Sequence, residues 1–392
     1  MEVSPTLVIA DYPVGFASGF GETLFNLFDG VQTEHLWSAH PKTNVPVANK
    51  RRGESIELPS PQRPAAIPSS LSLSYYPFLK AQQFAARRSS ILRLSKLVTE
   101  KSIRNLLVIP VSPWLLSVAL GVHKRHPDLK LVFYVMDDWQ GHHESFGLPF
   151  SKTRQRLLKE IIERAAVRFA VSVEMARHYQ DYYGHSWSVA HNGIDLASVA
   201  SNGHRSSAKS VLLAGDVNVF RFDALLAFGQ AIDRHNRHHT NQISFTILGD
   251  VAAEYREQLA GLSGILLKGR TSHECCLEAM KTADLLYLPL AFAPRASRIA
   301  LYSLPTKLPE YLATGRPVFF HAPSPSALYQ VAERYDLEPR LATTDAKELD
   351  SVIAKWATEL HPDPVAIEKA RKALSQEFDK RQLAFWFQSA FA

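Results

Sequence analysis

The chain has 392 residues, of which 46% are hydrophobic and 21% charged, and its net charge is +6. This length predicts two domains with a core each, and the composition excludes a disordered or fibrous protein. The positive charge favours anionic partners such as nucleotides, nucleic acid or acidic membrane surfaces, but it carries no information on fold.

The sequence also bears on compartment. The N-terminus lacks a basic-then-apolar leader, and no apolar run is long enough to span a membrane. Cys275 and Cys276 are the only cysteines and adjoin each other, which excludes a disulfide framework and indicates a reducing environment. We expect both to be buried helix residues. The prediction is a cytoplasmic protein, with a peripheral position at the inner face of the cell membrane as the alternative.

The chain begins like a nucleotide-type α/β domain. An apolar strand at 6–10 precedes a turn with Gly15, Gly19 and Gly21 and then a helical run. Residues 40–74 are rich in proline, serine and basic residues and predict a long irregular excursion.

Residues 75–101 predict a helix that mixes apolar and aromatic side chains with cations. Its cations include Arg87, Arg88 and Arg93, and no acidic residue lies between Tyr75 and Val98. Such a helix suits an anionic membrane surface. An amphipathic core helix with a solvated basic face is the alternative, and both hypotheses stay open.

The most promising stretch of the first half follows a strand at 130–135. Asp138, His142 and His143 stand there, and ligands of open α/β sheets bind beyond the carboxyl ends of strands, so we predict that these residues are catalytic. A general base, a binder of an acceptor hydroxyl, and paired carboxylates on a divalent metal are the functional hypotheses. Helix capping in a solvated loop is the structural one. A basic helix is predicted next, over 151–169.

The polar segment 198–209 predicts a hinge, beyond which strands again alternate with helices and predict a parallel sheet. The turn from Gly215 to Arg221 brings Asn218, Arg221 and a helix N-terminus together, which predicts an anion site. We expect 385–387, a Phe-Trp-Phe run in the last helix, to pack against apolar surface.

Residues 303–320 predict a short helix followed by a buried strand. Thr306 can cap the helix, and Gly315 can end it in the left-handed conformation. Lys307 and Glu310 stand three residues apart and share a face. A lysine with free backbone N–H groups suits a phosphate, and a carboxylate suits a vicinal diol, so the pair predicts a nucleotide. An ordinary surface ion pair is the alternative.

With these motifs in place, the chain resembles the GT-B glycosyltransferases, and in particular the family 4 (group 1) enzymes. The resemblance is clearest over 189–320 and is carried by the segments 191–195, 215–221, 268–270, 283–285 and 307–318. It implies an α/β protein of two facing Rossmann-like domains. These are an acceptor-side domain (1–188), a nucleotide-sugar-binding domain (189–365), and a C-terminal helical segment (366–392) that packs back on the first domain.

The family pattern also implies roles for single residues. Glu310 would hold the ribose hydroxyls of the donor, with Arg221 and Lys307 at its diphosphate. The full predicted donor-binding set is Gly19, Gly21, Gly215, Asn218, Arg221, Gly249, Gly269, Arg270, Arg298, Thr306, Lys307, Leu308 and Glu310. Two positions depart from the pattern. Tyr302 replaces a glutamate eight residues before Glu310, and the usual lysine of the first phosphate turn has no match, so Arg295 or Arg298 would substitute for it.

The resemblance implies a metal-independent hexosyltransferase without a cofactor. It would move a sugar from a nucleotide-diphosphate sugar to a glycan or lipid-linked acceptor, in the synthesis of cell-surface polysaccharide or glycolipid. Closure of the domains would exclude water, and retention of configuration is favoured; if the enzyme inverts, Asp138 should be the base. No nucleic-acid binding is expected, because the basic residues are not concentrated in one element. The alternatives are a sugar-nucleotide epimerase of the same fold and a catalytically silent partner subunit.

Overall fold

Two parallel β-sheets organise the chain. The computed structural model describes residues 2–15, 19–42, 52–59, 72–109, 112–198, 209–358 and 364–392, except for the side chains of 72–80. The strands of the first sheet are β1 (Thr6–Ile9), β2 (Leu36–Pro41), β3 (Glu54–Leu58), β4 (Asn105–Val108), β5 (Lys130–Val135), β6 (Val167–Ala170) and β7 (Ser188–Val189). Those of the second are β8 (Lys209–Ala214), β9 (Ile243–Leu248), β10 (Ile265–Gly269), β11 (Leu285–Pro289), β12 (Val318–His321) and β13 (Arg340–Leu341).

Helices cover the faces of both sheets. In the first half these are α1 (Gly19–Leu27), α2 (Ser72–Glu100), α3 (Pro113–Arg125), α4 (Trp139–Ser145), α5 (Lys152–Arg164) and α6 (Val173–Tyr183). In the second half they are α7 (Phe222–His238), α8 (Ala253–Ala260), α9 (His273–Thr282), α10 (Ser297–Tyr302), α11 (Leu308–Ala313), α12 (Ala327–Arg334), α13 (Ala346–Thr358), α14 (Pro364–Glu377) and α15 (Lys380–Gln388). Among the described helices, none combines the length and the apolar character that crossing a membrane requires.

The strand orders confirm the predicted class of two Rossmann-like units. They run β3-β2-β1-β4-β5-β6-β7 and β10-β9-β8-β11-β12-β13, and neighbouring strands pair in parallel throughout both described sheets. All residues of β1, β4 and β11 are buried, as expected of strands covered on both faces. The first sheet ends at Val189 and the second begins at Lys209. The exact domain limits stay a prediction.

Serine hydroxyls begin several of the helices. In each case the serine side chain accepts a hydrogen bond from the backbone N–H three residues later. This bond satisfies one of the free donors of the first helical turn. The serines are Ser112, Ser151, Ser172, Ser272 and Ser326.

Two element predictions of the first half were wrong. The basic helix ends at Arg164 rather than near 169, because residues 167–170 pair with β5 as a strand. The excursion at 40–74 is also not wholly irregular. Residues 54–58 form the edge strand β3 beside β2, while 43–51 and 60–71 lie outside the described residues.

The end of the chain returns to the first domain, as predicted. The side-chain amide of Gln388 donates to the carbonyls of Leu27 and Asp29 at 3.0 and 2.8 Å, and the ring of Phe387 lies 5.3 Å from that of Phe28. Phe387 is therefore buried.

The expectation was wrong for its two neighbours, since Phe385 and Trp386 are 55% and 69% exposed. The buried residues of α15 are Ala384, Phe387 and Gln388, which are spaced so that they share one face of the helix. Phe385 and Trp386 lie on the opposite, exposed face. The prediction of buried cysteines was wrong too. Cys275 is exposed and Cys276 is half-buried on α9.

The carboxyl ends of the two sheets face each other. Asn192, which follows β7, donates from its side chain to the carbonyl of Thr306 at 2.9 Å, and it accepts from Asn26 of α1 at 2.9 Å. Asp138, which follows β5, pairs with Arg298 of α10. The loops after parallel strands, where α/β proteins bind ligands, therefore line a shared cleft.

Candidate functional site

The floor of the second-domain side is a glycine turn at the end of β8. Gly215 has a φ of 141°, and a Cβ there would lie 2.9 Å from Nη1 of Arg221. Gly249 has a φ of 155°, and a Cβ there would lie 2.4 Å from the carbonyl oxygen of Gly215. Only glycine allows these strand ends and the guanidinium to pack so closely.

Arg221 is the unusual residue of this turn. Its Nε is buried without a hydrogen-bond partner among the described residues, and no carboxylate there forms an ion pair with it. Burial lowers the pKa of its guanidinium. The residue is half-buried, and the charge of Asp216 opposes this effect only in part, so an anion at this point would stabilise the cation further. α7, a helix of 17 residues, begins here without a side-chain cap. The N–H of Phe222 is bound to the carbonyl of Asn218, so the N–H groups that follow it in the first turn can bind the same anion.

Arg270 supports the turn from outside. It binds Asp216 at 2.6 Å and Asp250 at 2.7 Å, so it ties together the loops after β8, β9 and β10. The side-chain oxygen of Asn218 accepts from the backbone N–H of Phe220 at 3.0 Å and fixes the turn. Gly269, next to Arg270, accepts from the backbone N–H of Gly249 at 2.9 Å. Of the predicted donor-binding set, these residues shape the loops around Arg221.

Lys307 and Glu310 share a face, as predicted, and form an ion pair at 2.7 Å. Their side chains are 29% and 11% exposed, so the pair is mostly shielded rather than an ordinary surface contact. Tyr311, the next residue, accepts from the backbone N–H of Ala214 at 2.7 Å, and its buried ring lies within the electrostatic influence of both Arg221 and Glu310. The ion pair and the buried guanidinium therefore lie at the same edge of the second sheet.

Thr306 does not cap α11, contrary to prediction. The helix begins at Leu308 without a side-chain cap, while Gly315 ends it at a φ of 66°, as predicted. The hydroxyl of Thr306 instead faces the first domain, where a Cβ on Gly19 would lie 2.6 Å from it. The cap is lost because Thr306 is held against the start of α1.

The remaining predicted donor residues take different places. Gly21 is buried within α1, and its carbonyl accepts from the N–H of Gly15 at 3.2 Å. Leu308 is fully buried, so its side chain belongs to the core. Arg298 points to the first domain, where it binds Asp138. Their roles with a donor stay predictions.

Both carboxylate oxygens of Asp138 already accept hydrogen bonds from protein groups. It is 1% exposed and accepts from the N–H of Gly141 at 2.7 Å, from the hydroxyl of Tyr179 at 2.8 Å, and from Arg298 at 2.9 and 3.2 Å. It also caps α4, which was the structural alternative. A carboxylate bound in this way is poorly placed to take a proton from a substrate.

The two histidines differ. His143 contacts the carbonyl of Trp139 at 2.9 Å, and its ring packs against Phe150, inside the first domain. His142 is exposed to the cleft, and its ring lies 5.7 Å from that of Phe220 in the second domain. Of the three residues predicted to be catalytic, Asp138 and His142 both contact the second domain, and only His142 is exposed. That any of them is catalytic stays a prediction.

Two carboxylates not included in the predicted set follow strand ends of the first sheet. Asp137 has an exposed side chain, but many protein atoms surround its carboxyl group and displace water from it. This desolvation raises the pKa of Asp137; His142 opposes the shift and the charge of Asp138 adds to it. Asp11 follows β1, and burial raises its pKa to about 6. Each follows a strand end by two residues, which is the signal that could have revealed them. Among the described residues, no three His, Cys, Asp or Glu side chains form a group that could hold a metal ion.

Comparison with known proteins supports this picture. Residues 50–198 match the family model of Glycosyltransferase Family 4. No curated protein matches the chain in sequence.

Solved structures are similar in fold. The α,α-trehalose-phosphate synthase (UDP-forming) from Burkholderia xenovorans, in complex with glucose-6-phosphate, has a TM-score of 0.68 at 12% identity over 99% of both chains. A glycosyltransferase from Rickettsia africae ESF-5 has a TM-score of 0.67 at 11% identity, over 99% of this chain and 98% of that one. WaaG, a glycosyltransferase involved in lipopolysaccharide biosynthesis, has a TM-score of 0.59 at 14% identity over 99% of both. The predicted resemblance to GT-B glycosyltransferases is confirmed, and the family match and the fold together support glycosyltransferase activity.

Proposed function

We propose that this GT-B protein transfers a sugar from a nucleotide-diphosphate sugar, held by the second domain, to an acceptor hydroxyl held by the first. The observation that carries the proposal is the half-buried guanidinium of Arg221, whose Nε has no hydrogen-bond partner and which forms no ion pair among the described residues, beside the start of α7, which has no side-chain cap. A diphosphate supplies the missing negative charge.

The reaction requires stabilisation of negative charge near Arg221. When the sugar–phosphate bond breaks, charge develops on the departing diphosphate. Arg221 and the start of α7 belong to the same turn, so both would stabilise this charge without a large rearrangement. This arrangement needs neither a metal ion nor a cofactor.

Glu310 provides the second contact with the donor. Its carboxylate is 11% exposed and oriented by Lys307, so it can accept hydrogen bonds from the two ribose hydroxyls while the lysine turns towards phosphate. Arg221 and Glu310 both act electrostatically on Tyr311, so the diphosphate and ribose contacts would lie at the same edge of the sheet.

The acceptor binds against Asp11, Asp137 and His142. The two carboxylates have no hydrogen-bond partner among the described residues and can accept from sugar hydroxyls. We favour retention of configuration, because Asp138, the base that inversion would use, is fully hydrogen-bonded. The anomeric configuration of the product, read by NMR, tests this choice, and an inverted product would contradict it.

We further propose that the acceptor is lipid-linked or otherwise presented at a membrane, in cell-surface polysaccharide or glycolipid synthesis. Residues 81–89 of α2 are almost all exposed, and they include Phe84, which is 64% exposed, with Arg87 and Arg88. An apolar ring beside cations suits an anionic lipid surface, and the involvement of the similar WaaG in lipopolysaccharide biosynthesis agrees with this substrate class.

Liposome flotation tests the membrane part. The protein should float with anionic vesicles and less with neutral ones, and Arg87→Glu with Arg88→Glu should abolish flotation, while Arg237→Glu on the exposed side of α7 should not. Protein that stays in the soluble fraction with anionic vesicles contradicts this part alone.

A thermal-shift screen over nucleoside diphosphates and their sugars tests the donor part. Cys276 adds a site-specific readout, because it lies within the electrostatic range of Lys307 and Glu310 while Cys275 is exposed beside it. The correct donor should raise the melting temperature and slow alkylation of Cys276 more than that of Cys275. If no nucleotide does either, the donor assignment is wrong. Donor binding without transfer to any acceptor would instead favour the silent partner subunit.

A further inference from the structure

We propose that Asp138 and Arg298 are positioning residues, and that α10 is a clamp holding the two domains in the closed arrangement before any donor binds. The inference rests on the proposed function for its effect on transfer, but the clamp itself is a property of the domain interface.

The centre of the clamp is a buried ion pair between domains. The guanidinium of Arg298, in the second domain, binds both oxygens of Asp138, in the first, at 2.9 and 3.2 Å. The side chain of Asp138 is 1% exposed and that of Arg298 27%. A Cβ on Gly141 would lie 2.7 Å from the Cβ of Arg298, so the absence of a side chain there lets α10 approach α4.

The other end of α10 is held independently. The ring of Tyr302 stacks on that of His178 of α6, with centroids 4.8 Å apart and planes 19° from parallel. The hydroxyl of Ser172 donates to the carbonyl of Tyr302 at 2.7 Å. Both partners of Tyr302 belong to the first domain, so side chains from that domain fix this short helix at each end.

The ion pair favours closure for an energetic reason. If the domains separated, Asp138 would lose the two charge-assisted hydrogen bonds from Arg298 and keep only Gly141 and Tyr179 as partners. Breaking an ion pair whose carboxylate is buried is disfavoured. Because the pair is shielded, salt should weaken it much less than it weakens a surface ion pair.

The clamp acts directly on the donor site. Lys307 comes five residues after Tyr302, and Glu310 three residues after Lys307. The position of α10 therefore sets that of the ion pair relative to the opposite wall, which carries Asp137 and His142. Asp138 thus influences transfer through domain geometry, without taking a proton.

The test compares Asp138→Asn and Arg298→Gln with a matched control. Asparagine still caps α4, so Asp138→Asn should fold. Arg234→Gln is the control, since Arg234 makes a similar two-pronged pair with Asp350, at 2.7–3.2 Å, entirely within the second domain. Small-angle scattering and amide exchange of α10 are measured without ligand.

We expect the wild type to keep one radius of gyration with and without nucleotide. The two clamp variants should expand and exchange α10 faster, and the control should do neither. For the donor, KM should rise about tenfold in both clamp variants, kcat should fall less, and Arg298→Lys should recover part of the loss. The double variant should be no worse than either single one.

Clamp variants as compact as the wild type, with unchanged exchange in α10, would overturn the inference. A wild type that contracts on binding nucleotide would do so as well. Neither measurement needs turnover, so these outcomes remain informative if the proposed donor chemistry fails. Conversely, expansion of the variants in a protein that binds no nucleotide would retain the clamp and reject the proposed function.

Discussion

The ring of His142, in the first domain, lies 5.7 Å from the ring of Phe220, which directly precedes Arg221 in the second domain. Phe146, which is 55% exposed, approaches the same ring at 5.8 Å. An exposed aromatic group thus stands at the cleft beside the proposed phosphate position. Aromatic faces pack readily on the apolar faces of sugars, so this is where the transferred sugar and the acceptor would meet.

Replacing Glu310 by alanine should reduce donor use. The variant loses charge-assisted hydrogen bonds of roughly 1.5–3 kcal/mol, so kcat/KM for the donor should fall about ten- to a hundredfold. Glu333→Ala, on the exposed side of α12, is the control for loss of a glutamate from the same domain. Unchanged kinetics in a folded Glu310→Ala protein would refute the ribose assignment.

Replacing Arg221 by methionine should separate stability from function. Removal of this half-buried cation, which forms no ion pair among the described residues, should stabilise the ligand-free protein by about 1 kcal/mol, because an apolar side chain needs no counter-ion. The same change should remove the stabilisation that nucleoside diphosphates give. Urea unfolding with and without nucleotide measures both effects. A variant that is less stable without ligand, yet still stabilised by nucleotide, would show that Arg221 has a structural partner instead.

Gly19→Ala should disturb the contact between the domains. The new Cβ would lie 2.6 Å from Oγ1 and 3.0 Å from Cγ2 of Thr306, and such overpacking costs about 1–3 kcal/mol. Thr306→Ala removes both of those atoms, so the double variant should recover part of the loss, measured as a non-additive change in melting temperature. Additive effects would mean that the two residues do not touch.

Asp11→Asn should reveal the pH dependence that Asp11 confers. The folded-state pKa of Asp11 is raised from 3.8 to about 6, so between these values the folded protein holds a proton that the unfolded chain releases. Stability is therefore lost as pH rises through this window and stays lower above it. The stabilising effect of Asp11→Asn should be near zero below pH 4 and largest above pH 6. The exposed Asp128→Asn serves as control, and a pH-independent effect of Asp11→Asn would contradict the assignment.

The sequence predicted what local pattern determines. Apolar runs such as 106–108 became buried strands, and the spacing of Lys307 and Glu310 placed them on one face. The edge strand at 54–58 was missed because only two of its residues, Ile56 and Leu58, face the core.

Side chains that depend on distant partners could not be predicted in this way. Tyr179 and Arg298, which surround Asp138, are 41 and 160 residues away from it. Thr306 likewise does not cap α11 but contacts Gly19, which belongs to the other half of the chain. Both cases show tertiary packing overriding a sound local signal.

The return of α15 affects the order in which the protein can fold during its synthesis. Phe387 and Phe391 lie 5.3 and 5.5 Å from Phe28, and the carbonyl of Phe391 accepts from the backbone N–H of Ser4 and from the side chain of Asn105. While the ribosome is still making the second domain, the first therefore has an open apolar groove on α1. Although domains usually mature from the N-terminal one onward, here the first half should be the last to become resistant to protease on a nascent chain.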